Sequence, residues 1–144
     1  MAKVLAVNSS KEKGQPKQAV AKGYFALNCG LQGDAHAGDW HRQVSLLGNE
    51  SIDKIRKLGL DNLATGSFAE NLTTEGIILY ALPVGSRLRA GETVLEVTQI
   101  GKECHMGCAI REKTGDCVMP REGIFAKVIT PGWIQPGDEI VRLD

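Results

Sequence analysis

One short device recurs three times in the second half of the chain and constrains its fold more than any other feature. An apolar or small residue, a glycine, a polar residue, any residue and then an aliphatic residue appear in turn. The copies are Val84-Gly85-Ser86-Arg87-Leu88, Ala90-Gly91-Glu92-Thr93-Val94 and Pro136-Gly137-Asp138-Glu139-Ile140. Glycine reaches positive φ without steric cost, so each copy predicts a tight turn that launches a strand.

The rest of the chain agrees with this pattern. Short strands are predicted over residues 3–8, 24–28, 44–47, 93–100, 125–129 and 139–143, from runs of β-branched and aliphatic residues. In the strongest, residues 93–100, Leu95 and Val97 lie on one face, opposite Glu96 and Thr98. One helix is predicted. Asn49 is placed to cap it, Ile52, Ile55 and Leu58 form an apolar stripe at helical spacing, and Gly59 stops it. Many short strands, regular turns and one good helix predict a mainly β fold, a small barrel or folded sheet with one or two short helices. With no linker, low-complexity tract or long-period repeat, residues 1–144 read as a single domain.

Composition removes several function classes. Seventeen basic and 17 acidic residues cancel, and aromatics are 5% of the chain, so neither a basic face nor stacking platforms for nucleic acid are expected. The first residues turn polar too soon for a signal peptide, and the longest apolar run, residues 77–84, is too short to span a bilayer and contains Pro83. No membrane association and a cytoplasmic location are expected. There Cys29, Cys104, Cys108 and Cys117 read first as thiols or ligands.

Three segments carry candidate chemistry. The first is a glycine-rich loop, residues 33–43, with Asp34, His36, His41 and Arg42. Glycine lets backbone approach a ligand, and imidazole and guanidinium supply donors for an anion; equally, Asp and His side chains can satisfy a turn. The loop lacks the context of a dinucleotide fingerprint and the lysine of a P-loop. The second holds Glu70 and Asn71, suited to a polar ligand or to tying a turn. The third holds Cys104 just past the best strand, with Lys102 and His105 nearby to favour the thiolate. A structural zinc site from Cys104, His105, Cys108 and Cys117 is a competing reading, and a small buried cysteine is another. Arg121, after Pro120, is a candidate anion contact or a surface charge.

Together these segments resemble the MOSC family, named for the C-terminal domain of molybdenum cofactor sulfurases. The resemblance rests on Gly33-Asp34-x-His36 with His41-Arg42-Gln43-Val44-Ser45, on Gly66-x-Phe68-x-Glu70-Asn71-Leu72 and on Gly91-Glu92-x-x-Leu95-Glu96-Val97 leading to Cys104. It closes on Gly123-Ile124-Phe125 and Gly132-x-Ile134-x-x-Gly137-Asp138. It implies a β-barrel related to the pyruvate kinase barrel domain and a cysteine, here Cys104, that carries sulfur or ligates molybdenum. A soft thiolate suits a metal already held by sulfur. The implied cofactor is the molybdenum cofactor, molybdopterin. The implied partner is a cofactor assembly protein or a molybdoenzyme. Pyridoxal phosphate binding is a further association of the family.

Two activities follow from the resemblance. In the first, a binding and transfer module holds sulfur or the pterin cofactor on Cys104. Asp34, His36, His41 and Arg42 line its site, Glu70 and Asn71 lie across it, and Arg121 holds the phosphate. In the second, a molybdenum-dependent reductase of N-hydroxylated compounds works with an electron-donor protein, because the chain carries no flavin, haem or iron–sulfur motif. The reductases of the family have an additional N-terminal region that this sequence does not show, which ranks the reductase second.

Overall fold

The computed structural model describes residues 2–12, 16–59, 63–101 and 122–143. The described elements run in chain order as strands β1 (Lys3–Ser9), β2 (Gln18–Val20), β3 (Gly23–Ala26), β4 (Gly30–Leu31) and β5 (Val44–Gly48), then helix α1 (Asn49–Arg56). Strands β6 (Leu72–Glu75), β7 (Arg87–Ala90), β8 (Thr93–Ile100), β9 (Ile124–Thr130), β10 (Gly132–Ile134) and β11 (Ile140–Arg142) follow. The class is mainly β, as the turn devices predict.

Those devices act as glycine chemistry requires. Gly85, Gly91 and Gly137 sit at φ +97°, +56° and +95°, and strands β7, β8 and β11 begin within three residues of them. The hairpin β7–β8 turns at Gly91, with Ala90 paired to Thr93.

Eight strands form one sheet in the order β11-β7-β8-β9-β5-β6-β1-β2, and three form a second in the order β10-β3-β4. All pairings are antiparallel except β5–β6, which are parallel and joined through α1. The large sheet does not close into a barrel by a continuous ladder, which corrects the barrel expectation. Strand β1, next to one edge, meets the approach to β11 at the other through an isolated bridge between Lys3 and Glu139, with Val4 N donating to Asp138 O at 2.8 Å and Gly137 N donating to Val4 O at 2.7 Å.

The principal core lies inside this curl. Val4, Phe25, Val44, Leu46, Leu72, Leu88, Leu95, Val97, Ile124 and Ile134 are buried there. Strand β8 shows the period-two burial expected of it, Thr93, Leu95 and Val97 being buried and Val94, Glu96 and Thr98 partly exposed. Truncating a core leucine such as Leu95 to alanine costs about 2–5 kcal/mol in well-packed sites.

A second cluster, Leu47, Ile52, Ile55, Phe68 and Phe125, seats α1 against the sheet. The cap is Gly48 and not Asn49, whose Oδ1 instead accepts from Arg56 Nη1 at 2.9 Å. Leu58 is 55% exposed because the helix ends at Arg56, and the turn through Gly59 (φ +116°) carries Leu58 off the stripe. No helix among the described residues is long and apolar enough to cross a membrane.

Candidate functional site

The loop that follows β4 begins at Gly33, with φ +85°. It turns Asp34 inward, where the carboxylate is fully engaged. Oδ1 accepts from Lys17 Nζ at 2.8 Å, from Ser10 N at 3.1 Å and from Ser9 Oγ at 3.3 Å, while Oδ2 accepts from His36 N at 3.0 Å. Burial alone would push this carboxyl up. The Lys17 ammonium and the Ser10 and His36 amides outweigh it and hold Asp34 below the usual aspartate range. His36 stands beside the pair, its Nδ1 3.0 Å from Lys17 Nζ.

His41 and Arg42 converge on one residue of β8. Gln99 Nε2 donates to Gly101 O at 2.7 Å, which aims the amide oxygen the other way. That oxygen accepts from Arg42 Nε at 3.2 Å and lies 3.0 Å from His41 Nε2. The Arg42 guanidinium sits 5.2 Å from the centroid of the Phe125 ring. Trp40 links this pair to the first one: its Nε1 donates to His36 O at 2.9 Å and its ring meets His41 edge-on at 5.8 Å. A cleft of about 470 Å³ opens here, lined in part by Asn28, Trp40, His41, Thr98 and Lys127.

Glu70 and Asn71 lie inside the fold. Glu70 is fully buried and accepts from Thr73 Oγ1 at 2.6 Å, Gly66 N at 2.9 Å and Phe68 N at 3.2 Å. Burial pushes its carboxyl above the usual range, and these three donors offset only part of that. Asn71 Oδ1 accepts from Ser45 N at 3.0 Å, and Asn71 Nδ2 donates to Asn8 O at 3.3 Å. The network reaches the Asp34 cluster, because Lys17 N donates to Gly66 O at 2.8 Å and Asn8 of β1 is followed directly by Ser9 and Ser10.

Cys104 and Arg121 lie outside the described residues, as do His105, Cys108 and Cys117 of the zinc reading. The ends of their segment are described. Gly101 N donates to Gly123 O at 2.6 Å, pinching the stem between β8 and β9. Glu122 at the return accepts from Ser51 Oγ at 2.6 Å and from Lys54 Nζ at 2.9 Å. Gln99, His41 and Arg42 therefore stand at the stem of the Cys104 segment. Lys17, Asn8 and Gln99 gave no signal in the sequence. Lys17 sits in a polar loop with no motif around it, and Gln99 reads as the end of a strand.

Among the described residues no group of three or more His, Cys, Asp or Glu is placed to hold a metal ion. The donor chemistry that is present suits an anionic group. Arg42 is tethered through Nε alone, and its two terminal amino groups have no partner among the described residues. Lys127 lines the cleft beside His41, together with Asp39, and its Nζ pairs with Glu96 Oε2 at 3.4 Å.

His41 and Arg42, both held by Gln99, thus stand beside the Gly101–Gly123 stem of a mainly β fold. The chain belongs to the MOSC domain family, whose model matches residues 32–141, and this family is associated with molybdenum cofactor binding. The fold is similar to that of the YUAD protein from Bacillus subtilis, at 20% identity and a TM-score of 0.79, over 97% of this chain and 94% of that one. It is also similar to YiiM from Geobacillus stearothermophilus (17%, 0.74, covering 100% and 76%) and YiiM from Escherichia coli (18%, 0.70, covering 100% and 70%). No curated protein matches the chain.

Proposed function

We propose that the protein is a binding and transfer module that accepts sulfur, or the molybdenum cofactor itself, on Cys104 and passes it to a molybdoenzyme or an assembly partner. One observation carries this reading. The Cys104 segment is rooted at the Gly101–Gly123 stem, where Gln99 orients His41 and Arg42. Cations close to a thiol favour its thiolate, the form that attacks sulfur and binds soft metals.

In sulfur transfer the Cys104 thiolate attacks the outer sulfur of a donor persulfide. A new S–S bond forms at Cys104, the donor's S–S bond breaks, and the donor leaves as its thiolate, with no net oxidation. When bound, the cofactor supplies a sulfur-held metal that a soft thiolate can join as a further ligand. Arg42 and Arg121 are the residues for the cofactor phosphate, with His41 sharing the Gln99 oxygen that holds Arg42. Asp34 and Glu70 hold the walls of the site through the backbone amides they satisfy.

Purification from a cofactor-competent host tests this reading through pterin fluorescence and the mass of the Cys104 peptide. Fluorescence or an added sulfur supports it. Folded protein carrying neither overturns it. The reductase reading is weighed by amidoxime reduction with molybdenum-loaded protein and a supplied electron donor, and no turnover removes it.

A further inference from the structure

The side chain of Lys17 is wholly out of solvent, as is that of Asp34. An ammonium has three N–H donors and no acceptor. Here Nζ has three partners: Asp34 Oδ1 at 2.8 Å, His36 Nδ1 at 3.0 Å and Ser10 Oγ at 3.1 Å. The hydroxyl of Ser10 donates its own proton to Glu12 O at 3.1 Å, so it meets Lys17 with a lone pair. The carboxylate of Asp34 can only accept. Each of the three N–H bonds is therefore matched to one acceptor, and the third acceptor is the imidazole Nδ1.

We infer that Lys17 is a positioning residue that locks His36 as its Nε2–H tautomer. A ring nitrogen that accepts from an ammonium carries no proton, so the single proton of the neutral ring resides on Nε2. Asp34 completes the clamp by holding Lys17 through Oδ1 and the His36 backbone amide through Oδ2. His36 thus meets whatever faces Nε2 as a donor, suited to a phosphate or carbonyl oxygen. It has no lone pair left for a metal and none with which to act as a general base. The tautomer is set by Lys17, Asp34 and Ser10 and is independent of whether Cys104 carries sulfur. The oxygen-bearing ligand rests on the cofactor reading above.

The chain has three histidines, so a long-range proton–nitrogen spectrum of the labelled full-length protein at pH 8 is readable, with His36→Gln assigning the His36 signals. The expected result is an unprotonated Nδ1 and a protonated Nε2 on His36, without averaging between tautomers. Lys17→Met should move both nitrogens toward averaged values while leaving the His41 signals in place. A proton on Nδ1 in the unsubstituted protein overturns the assignment, as does a His36 signal unchanged in a folded Lys17→Met variant. If that variant does not fold, the unsubstituted protein decides alone. A slowly exchanging Lys17 ammonium signal then supports the clamp, and an ammonium exchanging as fast as those of exposed lysines overturns it. Failure here leaves Cys104 loading, measured separately by mass, untouched.

Discussion

Lys17 and Asp34 are joined by a 2.8 Å ion pair with both side chains wholly removed from solvent, linking the loop after β1 to the loop after β4. Removing one member of such a pair strands the other without compensation, at a cost of about 3–5 kcal/mol. Asp34→Asn and Lys17→Met should each lower the unfolding free energy by about that much in urea titrations. The double variant Lys17→Met/Asp34→Leu should lose less than the sum of the two single changes. A single-variant cost below about 1 kcal/mol would mean that water or another group takes over the partner's role.

Asp34 and Glu70 give opposite pH signatures. Folded Asp34 holds its proton more weakly than the unfolded chain, so its contribution is complete above the ordinary aspartate range and is lost as pH falls through and below it. Folded Glu70 holds its proton more tightly. Stability should therefore fall as pH rises from the ordinary glutamate value through the raised one. Unfolding free energies between pH 3 and pH 8 should show this decline, and Glu70→Gln should abolish it. A decline of the same size in Glu70→Gln would assign it to other groups.

Gly66 sits at φ +84°, where an added Cβ would lie 2.1 Å from the Lys17 carbonyl oxygen. Gly33 has a similar φ of +85° but nothing within 4 Å of such a Cβ. Gly33→Ala should cost about 1–2 kcal/mol, the penalty of the left-handed region alone. Gly66→Ala should cost clearly more, because Lys17 must shift and its hydrogen bond to Gly66 O is disturbed. Equal costs in thermal unfolding would show that the loop around Lys17 yields freely.

How far the sequence revealed this arrangement depends on which force placed each residue. Turn glycines and the alternating strand β8 were legible because local sterics and period-two burial leave local patterns. Strands β2, β4, β6 and β10, of two to four residues, left no run long enough to read. Leu58 falls off the helix, which ends at Arg56, two residues short of the apolar stripe's last member. The candidate residues Asp34, His36, His41 and Arg42 were visible by type, yet their organising partners were not. Lys17 and Gln99 lie 17 and 57 positions from the residues they hold, and only tertiary pairing brings them together. Glu70 and Asn71 could be read as ligand contacts or turn ties, and their side chains are spent on Gly66, Phe68, Thr73, Ser45 and Asn8.

Gln99 should control anion affinity without touching the fold's core, since it is only partly buried. Gln99→Leu removes the acceptor that holds Arg42 Nε and faces His41. The expected outcome is a loss of cofactor retention of about tenfold, corresponding to one hydrogen bond to a charged group, with the unfolding midpoint nearly unchanged. Arg42→Ala should match or exceed that loss. Retention equal to the unsubstituted protein in both variants would place the anion elsewhere.

The role proposed for Cys104, carrying sulfur or holding the cofactor, is measured directly by the loading of Cys104→Ser beside the unsubstituted protein. Both are purified from the same cofactor-competent host, and persulfide, pterin and molybdenum are counted per chain. Serine is close in size to cysteine but a far poorer ligand for a soft metal, and it cannot form a persulfide. Loading should be substantial in the unsubstituted protein and absent in Cys104→Ser, with circular dichroism and the unfolding midpoint the same for both. Equal loading of the two proteins would contradict the account, and so would loading that disappears only when Cys108 or Cys117 is replaced.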